Sequence, residues 1–126
     1  AIEVCDWSSD VCLFRSILSH KSDELCISAI SYGELMHGVE KSTYREKNYL
    51  ALSLFLSSIT ILQFDGIAAE KYGLVRAGLE TMGTPIGPMD TLIAAHALSK
   101  DLILVTNNTR EFCRVAGLKL EDWTIA

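Results

Sequence analysis

From Leu25 onward, short apolar runs alternate with longer segments of helical periodicity. Leu25-Cys26-Ile27-Ser28-Ala29-Ile30 predicts a buried strand. Ser31-Tyr32-Gly33-Glu34 follows with the S-x-x-E capping pattern, which opens a helix through about Val39. Tyr44 to Ser57 carries Tyr49, Leu50, Leu52, Leu54, Phe55 and Leu56 and predicts an apolar helix. Ile59 to Phe64 is a second strand-like run. Asp65-Gly66 then starts a helix from about Ile67 to Thr81, with Ala68, Tyr72, Val75 and Leu79 on one face. Met82 to Pro88 is dense in turn residues. Pro88 suits the first position of the next helix, which runs through Leu98 and whose alanines allow close approach to a sheet. Leu102-Ile103-Leu104-Val105 is a continuous apolar run of the kind found in parallel sheets. Thr106-Asn107-Asn108 turns the chain, Asn108 is placed to cap a short helix carrying Glu111 and Phe112, and the tail from Leu118 to Ile125 adds a final strand. Strands alternating with helices predict an α/β/α layer structure with a mostly parallel sheet.

Composition narrows the class. At 126 residues the chain suits one domain over 1–126, long enough to build a hydrophobic core without disulfides or structural metal. Hydrophobic residues at 49% and charged residues at 21% fit a globular protein and exclude disorder. No apolar run approaches the ~20 residues that span a bilayer, and no signal peptide is visible, so the expected compartment is the cytoplasm, with no membrane partner. Cys5, Cys12, Cys26 and Cys113 form no C-x-x-C pair and complete no zinc spacing with His20, His37 and His96. The cysteines read as buried or incidental thiols, the histidines as surface or packing residues. A net charge of −5 argues against a protein that coats nucleic acid, but not against an acidic nuclease site, because bound cations offset such charge locally.

Three acids stand out by position. Glu34 falls three residues after Ser31, Asp90 three after Gly87, and Glu111 three after Asn108. Acids in a first helical turn are favoured by the exposed N–H groups alone. Taken together, however, helices that follow strands bring their first turns to the carboxyl edge of the sheet, where open α/β folds place their sites. Several carboxylates there would suit a hard divalent cation, which binds oxygen ligands, water and substrate phosphate.

These segments resemble VapC-type PIN toxins. Cys26-Ile27-Ser28-Ala29-Ile30 through Glu34-Leu35 and Gly38-Val39-Glu40-Lys41-Ser42 is similar to their C-I-S-x-I-x-x-x-E-L-x-x-G-x-E-K-S stretch. Gly83-Thr84-Pro85-Ile86-Gly87-Pro88-Met89-Asp90, followed by Leu92-Ile93-Ala94-Ala95-His96-Ala97, resembles the G-T-P-I-G-P-x-D-x-L-I-A-A-H-A block. Val105-Thr106-Asn107-Asn108-Thr109-Arg110-Glu111-Phe112 resembles V-T-N-N-x-R-E-F, and Glu121-Asp122-Trp123 the usual ending. The resemblance implies a PIN-like three-layer α/β/α sandwich with a mostly parallel central sheet. It implies an Mg²⁺- or Mn²⁺-dependent endoribonuclease, the toxin of a toxin–antitoxin pair, that cuts RNA such as tRNA, forms a homodimer and is inhibited by a VapB-type antitoxin. It implies Glu34, Asp90 and Glu111 as active-site acids, with Asp90 and Glu34 on the metal and Thr106 and Asn108 supporting the site.

The N-terminus departs from that pattern. These toxins open on a strand ending in L-D-T-N, whose Asp is a principal metal ligand, and no such motif occurs here. Asp6 in Ile2-Glu3-Val4-Cys5-Asp6 is the nearest substitute and is the expected third metal ligand; Asp10 is a poorer one. Residues 1–17 are atypical, and Asp6 to Ser16 reads like a translated sequencing-library adapter with a one-base slip, in place of the native first strand. A divergent natural N-terminus and a pseudo-toxin are the rival readings. Loss of the first strand would leave a neighbouring strand unpaired. Loss of its carboxylate would weaken metal binding, so the alternative function is a catalytically impaired PIN module that binds antitoxin or RNA without cleavage.

Overall fold

The computed structural model describes residues 12–16 and 25–122. Among the described residues five strands form one sheet: β1 (Leu13–Ser16), β2 (Leu25–Ser28), β3 (Thr60–Leu62), β4 (Leu102–Val105) and β5 (Leu120–Glu121), in the order β3-β2-β1-β4-β5. The described helices are α1 (Ala29–Lys41), α2 (Arg45–Phe55), α3 (Gly66–Thr81), α4 (Pro88–Ser99) and α5 (Thr109–Phe112).

The sheet is mixed. β2 pairs with β3 and β4 with β5 in parallel, whereas β1 runs antiparallel to both β2 and β4. Four strands therefore share one direction, and the central strand opposes them. This corrects the expectation of an unpaired neighbour: Leu13–Ser16 fills the central slot, with Phe14 opposite both Cys26 and Leu104. A reversed central strand has a geometric consequence. Its N-terminal end, not its C-terminal end, lies at the edge where the parallel strands finish, so Cys12 stands at the carboxyl edge of β2 and β4.

Side chains alternate across the sheet as the period of a strand requires. Phe14 and Leu104 point into a core with Leu79, Ile93, Ala94, Ala97 and Phe112. Leu13, Ile27 and Val105 point to the other face, against Leu35, Val39 and Leu52. The first face is covered by α3 and α4 and the second by α1 and α2, which gives the three-layer α/β/α sandwich expected from the sequence.

Helix starts differ from expectation at one place. Gly87 caps α4, with Pro88 at its first position, and Asp65 caps α3 by accepting from Ala68 N at 3.0 Å. Ser31 does not cap α1. Ser28 does, its Oγ accepting from Ile30 N at 3.1 Å, and the helix begins three residues earlier than the S-x-x-E pattern predicts. The hydroxyl that wins is the one held in place: Ser28 is fully buried, and its Oγ lies 2.7 Å from Nδ1 of the fully buried His96. Phe14 and Phe64 pack edge-on against that ring. Asn108 takes the cap position of α5 without a side-chain capping bond, and its Nδ2 donates to Glu111 Oε2.

Candidate active site

A cavity of about 410 Å³ opens at the carboxyl edge of the sheet, lined by residues that include Cys12, Ser31, Glu34, Asp90, Thr106 and Asn108. Three elements supply its polar groups. Glu34 comes from the second turn of α1, on the open rim. Asp90 comes from the first turn of α4, and Thr106 and Asn108 from the segment between β4 and α5.

Glu111 is fixed beside this cavity from the first turn of α5. Its Oε1 accepts from the Gly87 backbone N at 2.7 Å, and its Oε2 from Asn108 Nδ2 at 3.2 Å. These two donors, with Arg114 nearby, hold the Glu111 carboxyl below the usual range. A side-chain carbon placed on Gly87 would lie 3.6 Å from Glu111 Oε1 and 3.7 Å from Asp90 Oδ2, so the two carboxylates flank one backbone position. Asp90 responds in the opposite direction. Burial, then the Glu111 charge, the hydrogen bond to Glu111 and the Glu34 charge push it up to about 6. Burial alone raises Glu34. One acid is thus held ionised and its neighbour near the point where it takes up a proton, the environment of carboxylates gathered to meet positive charge.

Thr106 Oγ1 accepts from Asn108 N at 3.1 Å and from Cys12 Sγ at 3.5 Å. The first of these bonds shapes the turn that carries Asn108 toward Glu111. The second joins the reversed strand to the cavity wall.

The structure therefore brings together Glu34, Asp90, Glu111, Thr106 and Asn108. Asp6 and Asp10 lie outside the described residues. Glu34 does not share the N-terminal-turn position of the other two acids, since Ser28 caps its helix. Sequence reading missed Cys12 on the cavity wall and the Ser28–His96 bond beneath it. A histidine inside the apolar run Leu92 to Leu98 was the available signal for a buried partner; nothing in the sequence marked Cys12.

The donor chemistry of the cavity is oxygen-rich and suits a hard divalent ion of the kind that binds one or two carboxylates plus water and phosphate. It is not a closed cage: among the described residues no three Asp, Glu, His or Cys side chains are arranged to hold an ion by themselves. No described helix is long and apolar enough to cross a membrane.

The PIN domain family model matches residues 2–118. The tRNA(fMet)-specific endonuclease VapC of Shigella flexneri is 42% identical over 125 residues, covering 92% of this chain and 95% of the relative. Its counterpart from Salmonella typhimurium is 45% identical over 109 residues, covering 86% and 83%. The crystal structure of DNA-bound VapBC from Salmonella typhimurium superposes with a TM-score of 0.76 at 47% identity, over 78% of this chain and 74% of that one. VapBC2 from Rickettsia felis, bound to a fragment of its promoter DNA, gives a TM-score of 0.76 at 44% identity over the same shares. This chain therefore belongs to the PIN-domain family, among the VapC ribonucleases of toxin–antitoxin systems.

Proposed function

We propose that the protein is a metal-dependent endoribonuclease toxin that hydrolyses phosphodiester bonds in RNA, with tRNA as the substrate class. The observation that carries this reading is the convergence of Glu34, Asp90 and Glu111 around one cavity, with Asp90 raised to about 6 by burial and by its acidic neighbours. Asp90 and Glu34 would hold Mg²⁺ or Mn²⁺, with Asp6 as the third ligand if the N-terminal segment carries it there. When bound, such an ion lowers the pKa of a coordinated water and neutralises charge on the phosphate. The chain's own residues do the rest. Glu111, held ionised by Gly87 and Asn108 beside the cavity, would serve as the proton acceptor for the attacking water. Thr106 fixes the turn that orients Asn108. Glu34, exposed on the rim, would meet the incoming RNA strand.

The solved relatives are VapBC complexes, which supports a VapB-type antitoxin as partner. A homodimer working in the cytoplasm completes the proposed reading. The impaired-module reading keeps one specific support, which is that the central strand brings the Cys12 thiol, not a carboxylate, to the cavity wall.

Cleavage of a mixed tRNA pool with Mg²⁺ or Mn²⁺, with and without EDTA, beside Asp90→Ala, tests both. Metal-dependent cutting that falls at least about 100-fold in the variant is the expected result. A folded chain that binds RNA and never cuts it would establish the binding module instead.

A further inference from the structure

Ser31 is the residue that the sequence marks as a helix cap and the structure releases from that duty. It is 4% exposed, and its hydroxyl oxygen has no hydrogen-bond partner among the described residues. It forms part of the cavity wall one helical turn before Glu34, on the same side of α1. A hydroxyl buried without a partner destabilises the fold, so its retention points to something that completes it in use.

The other groups around the cavity indicate what that is. An RNA strand brings phosphate oxygens, which need donors. Glu34 and Glu111 are acceptors when ionised, and the Asn108 amide already donates to Glu111. The Ser31 hydroxyl is an uncommitted donor in a wall that also carries Glu34 and Asp90, and it turns about a single χ1 bond without moving the backbone.

We propose that Ser31 is a substrate-contacting residue, donating a hydrogen bond to a non-bridging phosphate oxygen of the RNA strand seated in the acid cavity. The inference rests on the nuclease reading above for its ligand, but its test separates the two. Ser31→Ala, the near-isosteric Ser31→Cys and the hydroxyl-retaining Ser31→Thr are compared with the parent chain in three measurements. These are kcat and KM for RNA cleavage with Mg²⁺, thermal midpoint, and binding of a fluorescent single-stranded oligoribonucleotide with Ca²⁺ in place of Mg²⁺.

The expected result is a kcat/KM lower by about 10- to 100-fold in Ser31→Ala and Ser31→Cys, the range for losing a hydrogen bond to a charged group. Oligonucleotide affinity falls alongside it, Ser31→Thr restores most of the loss, and the thermal midpoint of Ser31→Ala stays level or rises. A midpoint that falls with activity would assign the hydroxyl to the fold and overturn the proposal. So would Ser31→Ala cutting and binding like the parent. If the parent binds RNA and cuts none, the nuclease reading fails. The binding arm then still decides, since affinity unchanged in Ser31→Ala sinks the Ser31 contact and affinity lost in it supports the contact.

Discussion

Asp90 shows how much of this site is written in the environment of single side chains. Its carboxyl is pushed up to about 6 by burial first and by Glu111 and Glu34 second. An unfolded Asp titrates near 3.9, so between these values the folded state holds a proton that the unfolded state has released. Stability attributable to this group therefore declines as pH rises from about 4 to about 6, and the penalty is complete above that. Asp90 is only partly buried, so solvent screening reduces the effect. Asp90→Asn is expected to raise the thermal midpoint at pH 7.5 by roughly 3–6 °C, the shift that ~1 kcal/mol produces in a small domain. The gap should close below pH 4. Melting curves of both proteins across that range check it, and a constant gap would mean that the gain has nothing to do with ionisation. His96 works the other way: burial, helped by Lys100 and opposed by Asp65, pushes its imidazole down. Its neutral form is the one that folds, and it subtracts stability as pH falls below about 6.5. At the same scale, Cys12→Asp puts a carboxylate on the cavity wall near Thr106. Mn²⁺ affinity of that variant, read by calorimetry, is expected to tighten by about tenfold, because hard cations prefer oxygen donors.

Elements were legible wherever one local signal stood unopposed. Pro88 after Gly87, Asp65 before Gly66 and the apolar run Leu102 to Val105 all placed their helices and strand within a residue or so. The start of α1 was misread because two serines three residues apart both had capping chemistry, and tertiary contact chose between them. Ser28 meets His96, 68 residues away, and no local pattern carries that information. The acids were found for the right edge of the sheet, though the repeated first-turn position held only for Asp90 and Glu111. Ser28→Ala removes both the cap and the partner of a buried imidazole. A loss of roughly 1–3 kcal/mol is expected, seen as a lower denaturant midpoint at unchanged slope. A loss below about 0.5 kcal/mol would show that Ser31 takes over the cap.

On the scale of the whole molecule, the sequence pattern said that strands and helices alternate but not which way the first strand runs. Direction is decided by pairing, and four residues, Leu13–Ser16, carry too little periodicity to reveal it. Charge is the other global property. A chain with net charge −5 and an acid-lined cavity cannot hold RNA mainly through phosphate neutralisation. The plot of log affinity against log salt, measured with Mg²⁺ held constant, is expected to have a slope no steeper than about −3, equivalent to few released counterions. A slope near −8 would locate a basic surface that the net charge conceals.

The reversed strand also decides how the molecule comes apart. β1 is the sole described link between the β3-β2 pair and the β4-β5 pair, and Phe14 and Leu13 key it into opposite cores. Two-stranded remnants are not independently stable in water, so the sheet cannot open at its middle and survive as halves. Solvent deuterium should therefore enter the amides of Phe14 and Arg15 only when the entire domain opens, while β5, short and at the edge, exchanges through local fraying. β1 is in this sense the keystone of the sheet: exchange there times the life of the native state.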